Sequence, residues 1–269
     1  MKADSSLRAA LIFDMDGVLV DSNPFHLQKW AALLNEHHIP FNPGELPKQV
    51  LGPRNDETLR YFFGPNTAFE VRRRLSEKLE ARFRQVFKPH VKPLPGLRRL
   101  ILECNRAGIL MAVASSAMRK NVEFVVDALG FRPYLRCMIS GDEVTHNKPE
   151  PEIYLKVAGK LGIDPSKCVA FEDSFVGIEA AKRAGMRCVA VGSTFPLEEL
   201  RQKTRADLVV PGFEQLSLED LRRLFGGEQL TVEGRTSENP HTATVDRRLS
   251  SEHEMVLLVG SGAGTVARR

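Results

Sequence analysis

The feature that most constrains the fold is an alternation of apolar strand-like runs and amphipathic helical stretches after Gly96, which continues to about Phe225. The runs predicted to be strands are "ILMAVAS", "YLRCMIS", "KCVAFED", "RCVAVG" and "ADLVV". Such alternation requires βαβ crossovers, which produce a parallel sheet with helices on both faces. The pattern therefore predicts an α/β fold with a Rossmann-like, doubly wound parallel sheet at its core.

A helical segment interrupts this pattern near the N-terminus. One short strand, Leu11 to Asp14, comes first, and the next stretch, from about residue 21 to 92, shows helical periodicity without strands. Its helices are predicted at Pro24–Asn35, Asn55–Phe63 and Asn66–Phe87, and the prolines of "IPFNPGELP" and "KPHVKPLPG" separate elements. We therefore predict a core of residues 1–20 and 93–225, with an inserted α-helical cap at 21–92. The polar stretch 226–269 lacks periodicity and is predicted to be a disordered tail.

Composition narrows the possible partners. The chain of 269 residues carries a net charge of +4, which is too mild to call for nucleic acid but is compatible with phosphorylated small molecules. No apolar run is long enough for a membrane helix, and the N-terminus has no long apolar segment of the secretory type. The four cysteines form no C-x-x-C pair and are expected to be reduced. We expect a cytoplasmic monomer that binds a small phosphorylated metabolite.

Polar residues follow several of the predicted strands, at the sheet edge where ligands of doubly wound folds bind. They are Asp14, Asp16, Ser115, Ser116, Glu172 and Asp173, with Lys148 in a loop just ahead of a helix. Taken singly, each has an ordinary interpretation, such as a turn, a strand end, a solvated loop or a helix cap. Together they place acids, hydroxyls and a lysine at one edge. Adjacent carboxylates repel, and a hard cation such as Mg²⁺ with a phosphate would relieve that repulsion.

Four stretches carry a specific resemblance. "FDMDGVLVDS", "VASSA", "KPEPEIY" and "FEDSFVGIEAAKRAG" resemble the four motifs of the haloacid dehalogenase superfamily, in the family's order and at compatible spacings. The helical segment after the first motif is similar to that of the branch containing β-phosphoglucomutase and sugar-phosphate phosphatases. The resemblance covers about residues 10 to 225.

The resemblance implies a role for each core residue. Asp14 would be the nucleophile that forms an aspartyl-phosphate, and Asp16 would be the general acid and base. Lys148 and the Ser115 hydroxyl would stabilise the transferring phosphoryl group. The resemblance also implies a Mg²⁺ site made of Asp14, the Asp16 backbone carbonyl and Asp173, with Glu172 in its outer shell. Gly17, which permits a tight turn, and Ser116 would lie beside the substrate.

Further substrate contacts are expected from the cap and one core helix. The candidates are His26, which shares a helix face with Trp30, together with Arg54, Asn55 and Arg119. β-Phosphoglucomutase-like sequences carry a lysine and an arginine at two positions of the cap loop, where this chain has Leu51 and Asn55. A mutase needs cations to hold the distal phosphate of its bisphosphate intermediate. Their replacement favours a phosphatase.

Three functions stay open from the sequence. The first is a Mg²⁺-dependent phosphatase of a small phosphomonoester, such as a sugar phosphate, that forms an aspartyl-phosphate intermediate. The second is a hexose-phosphate mutase like β-phosphoglucomutase, which would return the phosphoryl group to the sugar. The third is a non-catalytic regulator that binds a phosphorylated metabolite. The pair Asp14 and Asp16 argues against the third, because a binding protein needs neither a nucleophile nor an acid–base group.

Overall fold

The computed structural model, which describes residues 9–51 and 53–225, contains a six-stranded parallel sheet. Its strands are β1 (Ala10–Phe13), β2 (Leu110–Ala114), β3 (Cys137–Ile139), β4 (Cys168–Glu172), β5 (Arg187–Val191) and β6 (Leu208–Val210). Their order across the sheet is β3-β2-β1-β4-β5-β6. The chain therefore winds outward in both directions from β1. The predicted doubly wound α/β fold is confirmed.

Ten α-helices accompany the sheet in the described residues. The first four form the helical segment that follows β1: α1 (Asn23–Glu36), α2 (Leu46–Val50), α3 (Asn55–Phe63) and α4 (Phe69–Phe87). The others are α5 (Leu97–Arg106), α6 (Arg119–Leu129), α7 (Glu152–Leu161), α8 (Phe175–Arg183), α9 (Leu197–Lys203) and α10 (Leu218–Arg223). Short 3₁₀ turns lie at Lys88–His90, Arg132–Tyr134, Gly141–Glu143 and Pro165–Lys167.

The two faces of the sheet are packed differently. Leu11 and Phe13 point to one face, where Phe13 stacks on Phe171 with ring centroids 4.8 Å apart. Ala10 and Ile12 point to the other face, which belongs to a second buried cluster. Because successive side chains of a strand alternate between faces, a strand covered on both sides must be apolar throughout. The fully buried β1 meets this requirement and holds the residues that follow it in a fixed position.

The helical segment between β1 and α5 has its own apolar cluster. Trp30 and Leu34 of α1 pack there with Leu46 of α2, Leu59 of α3 and Leu79 of α4. The helices thus bury a shared apolar stripe against one another, as amphipathic helices do. The described part of this segment contains no strand longer than an isolated bridge residue. Its role as a cap with the boundaries 21–92 stays a prediction.

Two helices were not expected from the sequence. The first, α2, lies within the proline-rich stretch that predicted a break. Pro47 occupies its first turn, where a missing backbone N–H costs nothing. The second, α9, follows Pro196 and is supported by side-chain pairs four residues apart, such as Lys203 with Glu199. Prolines thus begin helices here as well as separating them.

All four cysteines are free thiols, as expected, and three of them are buried. Among the described helices, none combines the length and apolar character needed to cross a membrane. The stretch 226–269, predicted to be a disordered tail, lies outside the described residues.

Candidate active site

The sheet topology brings the first and the last acidic motifs together. β1 pairs in parallel with β4, with Phe13 opposite Phe171, so that Asp14 follows one strand beside Glu172 at the end of the other. The backbone N–H of Asp14 continues this pairing by donating to the Phe171 carbonyl at 3.0 Å. β1 and β4 lie where the winding direction reverses, and ligands of doubly wound sheets bind at such a point.

Lys148 joins these two acids in the protein interior. Its Nζ donates to Asp14 Oδ1 at 3.0 Å and to Glu172 Oε1 at 2.6 Å, and it also reaches the carbonyl of Ala114 at 3.3 Å. Burial lowers the pKa of Lys148, but the two carboxylates outweigh burial and raise it overall. Lys148 is therefore a fixed cation beside Asp14. It can offset the repulsion between a carboxylate and an approaching phosphate.

A cluster of carboxylates at this edge has the chemistry of a magnesium site. Oxygen atoms of Asp14, Glu172 and Asp173 lie within 4.8 Å of one another, and all three residues are buried. Burial raises the pKa of Asp14 well above its ordinary value and that of Asp173 to about 7. Lys148 does not balance this negative charge alone. The donor set, made only of oxygen, therefore fits a hard divalent cation such as Mg²⁺.

Glu172 is held by hydrogen-bond donors on both of its carboxylate oxygens. Tyr154 Oη donates to Glu172 Oε1 at 2.6 Å, and Ser174 Oγ donates to Oε2 at 3.3 Å. Together with the bond from Lys148, these contacts occupy both oxygens of a carboxylate that is 0% exposed. Glu172 thus has the surroundings of a residue that supports a metal site from its outer shell.

Asp173 is the acid that faces the cavity beside Asp14. Its Oδ2 accepts from Asn23 Nδ2 at 3.1 Å and from the Thr194 hydroxyl. A Cβ added to Gly17 would lie 1.9 Å from the same oxygen, and the φ angle of Gly17 is +76°. Glycine is therefore required at position 17 both for its backbone conformation and for the close approach of Asp173.

Asp16 is held apart from that cluster. Its Oδ1 accepts from the Ser22 hydroxyl and contacts His26 Nε2 at 3.1 Å. Burial raises the pKa of Asp16, but His26 and Ser22 outweigh burial and lower it overall. The carboxylate of Asp16 thus has different hydrogen-bonding partners from that of Asp14, although only one residue lies between them. Two neighbouring acids in different environments can take different roles.

The serine pair of the second motif lies at the end of β2. Ser115 is 1% exposed, and its Oγ accepts from the backbone N–H of Ala117 at 3.1 Å. Ser116 Oγ donates to Asn147 Oδ1 at 2.7 Å. The backbone N–H of Ser115 donates to Ile139 on the neighbouring strand, which fixes the turn.

A cavity of about 510 Å³ lies over this edge, between the sheet and the helical segment. Most of the sequence-predicted residues line it: Asp14, Asp16, His26, Arg54, Asn55, Ser115, Ser116, Lys148 and Asp173. Glu172 and Gly17 lie behind this surface, in contact with residues that line it. The volume is that of a small-molecule site.

Two candidates from the helical segment, His26 and Arg54, have different contacts. His26 stacks on Phe83 with ring centroids 4.2 Å apart while it contacts Asp16. Arg54 Nη2 donates to the carbonyls of Gly141 and Val144, both at 2.8 Å, so that it ties the helical segment to the core.

Arg119 is not brought together with the other candidates. Its guanidinium binds Glu123 and Glu143, each at 2.9 Å, and the carbonyl of Met138, and it does not line the cavity. In the sequence, Arg119 comes shortly after the serine motif. In the structure it begins α6, and its side chain pairs with acids outside the cavity wall. The partner Glu123, four residues later, is the signal that predicts this orientation.

Sequence reasoning missed four residues near the reacting groups. Tyr154 and Asn23 hold Glu172 and Asp173, whereas Lys29 and Glu80 form an ion pair in the cavity wall. Tyr154 belongs to the quoted stretch "KPEPEIY", where a hydroxyl shortly after Lys148 could have been noticed. No sequence signal links Lys29 with Glu80, because 51 residues separate them.

The fold and the site together define a doubly wound α/β protein. Its acidic site contacts a buried lysine and lies between β1 and β4, where the winding direction of the sheet reverses. The chain belongs to the haloacid dehalogenase-like hydrolases, a family of enzymes whose model matches residues 11–191. The resemblance seen in the four motifs is therefore confirmed, and the interpretation as a non-catalytic regulator is set aside.

Named relatives include both phosphatases and mutases. Hexitol phosphatase B of Escherichia coli is 31% identical over 222 residues, which is 79% of this chain and 96% of that protein. β-Phosphoglucomutase of Bacillus subtilis is 30% identical, over 78% of this chain and 92% of that protein. A crystal structure of β-phosphoglucomutase from Clostridium difficile superposes with a TM-score of 0.72 at 27% identity. The superposition covers 81% of this chain and 97% of the chain in that crystal structure.

Proposed function

We propose that this protein is a Mg²⁺-dependent phosphatase that hydrolyses a small phosphomonoester, such as a sugar phosphate, through an aspartyl-phosphate at Asp14. The observation that carries the proposal is the contact between the Asp14 carboxylate and Lys148 at 3.0 Å, on a cavity wall that also holds Asp16. A nucleophile, a fixed cation and a separate acid–base group are the parts that phosphoryl transfer to a carboxylate requires.

In the first step a carboxylate oxygen of Asp14 forms a bond to phosphorus, and the bond from phosphorus to the leaving oxygen breaks. Asp16 gives its proton to that oxygen, and the alcohol departs. In the second step Asp16 removes a proton from water, which attacks the same phosphorus and restores Asp14 with release of phosphate. Acid–base assistance of this kind contributes about 10²–10⁴-fold in rate.

The partners of Asp16 suit its second task. His26 and Ser22 favour the ionised form, which is the base that activates water. An incoming phosphate brings negative charge into the cavity and raises the pKa of Asp16, which favours uptake of the proton needed for the first step. Asp14, Asp173 and the outer-shell Glu172 would hold Mg²⁺, whose charge would stabilise the transferring phosphoryl group. The carbonyl of Asp16 completes the proposed ligand set.

The helical segment is proposed to act as a cap that excludes bulk water during the reaction. His26, Arg54 and Asn55 reach the cavity from this segment, and Arg54 anchors it to core carbonyls. Ser116 and Ser115 face the same cavity from the core. The expectations of a monomer and of a cytoplasmic location stay predictions.

A phosphatase is favoured over a mutase because the basic side chains in the cavity wall already contact groups of the protein. Among the described residues lining the cavity, the basic side chains are Lys148, Lys29, Arg54 and His26. Each contacts an acceptor of the protein itself: Asp14, Glu80, the core carbonyls and Asp16, respectively. A bisphosphate intermediate needs a cation for its distal phosphate. The mutase stays the second candidate because a named mutase is among the relatives.

A substrate panel tests the proposal. Purified protein with Mg²⁺ is incubated with sugar phosphates, and free phosphate and isomeric products are measured. Phosphate without isomer supports the phosphatase, whereas glucose 6-phosphate formed from β-glucose 1-phosphate with a bisphosphate primer supports the mutase. Formation of neither product from any member of the panel would contradict both.

The role of Asp14 is tested by substitution. Asp14→Asn is expected to abolish turnover without unfolding the protein, because it removes the nucleophile and one charge of a repelling cluster. Asp127→Asn is the matched control, since Asp127 is an exposed acid that pairs with Arg132 and does not line the cavity. Turnover retained by Asp14→Asn would exclude Asp14 as the nucleophile.

A further inference from the structure

An ion pair between Lys29 and Glu80 lies in the wall of the cavity that the helical segment provides. Lys29 is on α1 and Glu80 is on α4, and they are 6% and 4% exposed. Both line the cavity, in the part of its wall that the helical segment forms. Burying two charges is costly and seldom stabilises a fold more than apolar residues of the same volume. The pair therefore calls for a functional explanation.

The two partners differ in how fully their hydrogen-bonding capacity is used. Glu80 accepts from Lys29, from Asn55 Nδ2 at 2.6 Å and from Asn121 Nδ2, so both of its oxygens are occupied. The ammonium of Lys29 has three N–H groups, and in the described part of the chain Glu80 is its hydrogen-bond acceptor. Lys29 thus keeps donor capacity beside the cavity, whereas Glu80 has little acceptor capacity left.

The same contacts cancel the charge of Lys29. Burial raises the pKa of Glu80, but Lys29 and the other donors lower it overall, so Glu80 is ionised at neutral pH. The pair then presents N–H donors to the cavity without a net positive charge. Such a surface suits a hydroxyl oxygen of a neutral polyol. It gives little attraction to a second phosphate, which needs an uncompensated cation.

Asn121 links this pair to the core. It lies on α6, donates to Glu80 and accepts from Arg84 of α4. Because Asn121 is 1% exposed, the bonds form only where the helical segment and the core are in contact. The position of the pair over the reacting groups is therefore fixed by a residue of the core itself.

We propose that the Lys29–Glu80 pair determines specificity, selecting phosphomonoesters with a neutral, hydroxyl-bearing leaving group and rejecting those with a second phosphate. Lys29 donates to a substrate hydroxyl, and Glu80 keeps the charge at that point near zero. This inference rests on the proposed function, because it assumes that the substrate phosphate lies at Asp14.

The test measures binding rather than turnover. Dissociation constants of fructose 1-phosphate and fructose 1,6-bisphosphate are measured by calorimetry with Mg²⁺ in an Asp14→Asn background. In that background, Glu80→Gln keeps the shape of the side chain but removes the carboxylate that is hydrogen-bonded to Lys29. We expect the affinity for the bisphosphate, relative to the monophosphate, to rise about tenfold, the factor that 1.4 kcal/mol represents.

Two further variants separate specificity from structure. Lys29→Gln leaves Glu80 unpaired and is expected to shift the ratio in the opposite direction. The double variant Lys29→Gln/Glu80→Gln is expected to restore a ratio close to that of the parent. Glu77→Gln is the matched control, since Glu77 is an exposed residue of the same helix paired with Arg73. This control is expected to leave both affinities unchanged.

The outcomes distinguish this inference from the proposed function. An unchanged ratio in Glu80→Gln and in Lys29→Gln, with both affinities equally weakened, would overturn the specificity role and leave a structural one. If Glu80→Gln does not fold, the ratio in Lys29→Gln decides. Failure of the wild-type protein to hydrolyse any phosphomonoester would contradict the phosphatase, while the binding ratios would still test the ion pair.

Discussion

The substitution Tyr154→Phe tests how much one hydrogen bond to Glu172 stabilises the fold. Tyr154 is fully buried on α7, and its hydroxyl donates to Glu172 Oε1 at 2.6 Å. The same oxygen accepts from Lys148 at 2.6 Å. Burial, followed by the charge of Glu172, raises the pKa of Tyr154 well above its ordinary value, so the hydroxyl keeps its proton at any working pH. The substitution removes one donor from a carboxylate that has no access to water.

The expected loss follows from the geometry. Phenylalanine fills nearly the same space, so the ring keeps its place in the buried apolar cluster. What is lost is a hydrogen bond to a charged, buried acceptor, which contributes about 1.5–3 kcal/mol. We therefore expect the free energy of unfolding to fall by about 2 kcal/mol.

The assay is urea denaturation in metal-free buffer, followed by tryptophan fluorescence, with an unchanged dependence on urea concentration as the sign of an intact fold. Tyr61→Phe is the control. Tyr61 is 65% exposed and its hydroxyl contacts Gln49 at the surface, so a change within about 0.5 kcal/mol is expected. A loss in Tyr154→Phe no larger than in Tyr61→Phe would refute the reasoning, because Glu172 would then not depend on this donor.

Three other perturbations have expected results. Gly17→Ala is expected to cost about 1–2 kcal/mol from the left-handed backbone alone and also to weaken Mg²⁺ binding, because its Cβ would collide with Asp173. Denaturation and Mg²⁺ titration measure the two effects, and unchanged Mg²⁺ affinity would contradict the expected collision. Ser174→Ala removes the N-cap of α8, which accepts from Gly177 N–H at 3.1 Å, and is expected to cost about 1 kcal/mol in urea denaturation. Because burial raises the pKa of Asp173 to about 7, the folded metal-free protein binds a proton there more tightly than the unfolded chain and loses stability as pH rises toward 7. Mg²⁺ affinity measured by calorimetry is therefore expected to fall at least about tenfold per pH unit below about pH 7, and a pH-independent affinity would contradict this.

The core of the site was predictable because its residues directly follow strands. Asp14, Ser115 and Glu172 stand at the ends of β1, β2 and β4, and parallel pairing forces such ends to one edge of the sheet. A sequence pattern that predicts the strands therefore also predicts that the residues at their carboxyl ends lie close together. Lys148 could be added because its stretch recurs in the family at a compatible spacing.

The helical wall of the cavity was less predictable, for a physical reason. Its contacts depend on how helices distant in sequence pack against one another, which periodicity alone does not determine. Arg119 lies beside a motif and yet pairs with Glu123 and Glu143. Lys29 is in none of the motifs and yet lines the cavity with Glu80. Residue type and proximity to a motif therefore do not identify the groups that meet a substrate.

The two walls of the cavity differ in their electrostatic balance, and this difference assigns them different tasks. At the sheet edge, the acids Asp14, Glu172 and Asp173 outnumber Lys148, so this wall fits the proposed divalent cation and would respond to charge that develops on a phosphoryl group. In the helical wall, Lys29 is balanced by Glu80, so this wall does not gain from a second anion. Substitutions at the sheet edge should therefore act mainly on kcat, whereas those at the Lys29–Glu80 pair should act on the choice among substrates.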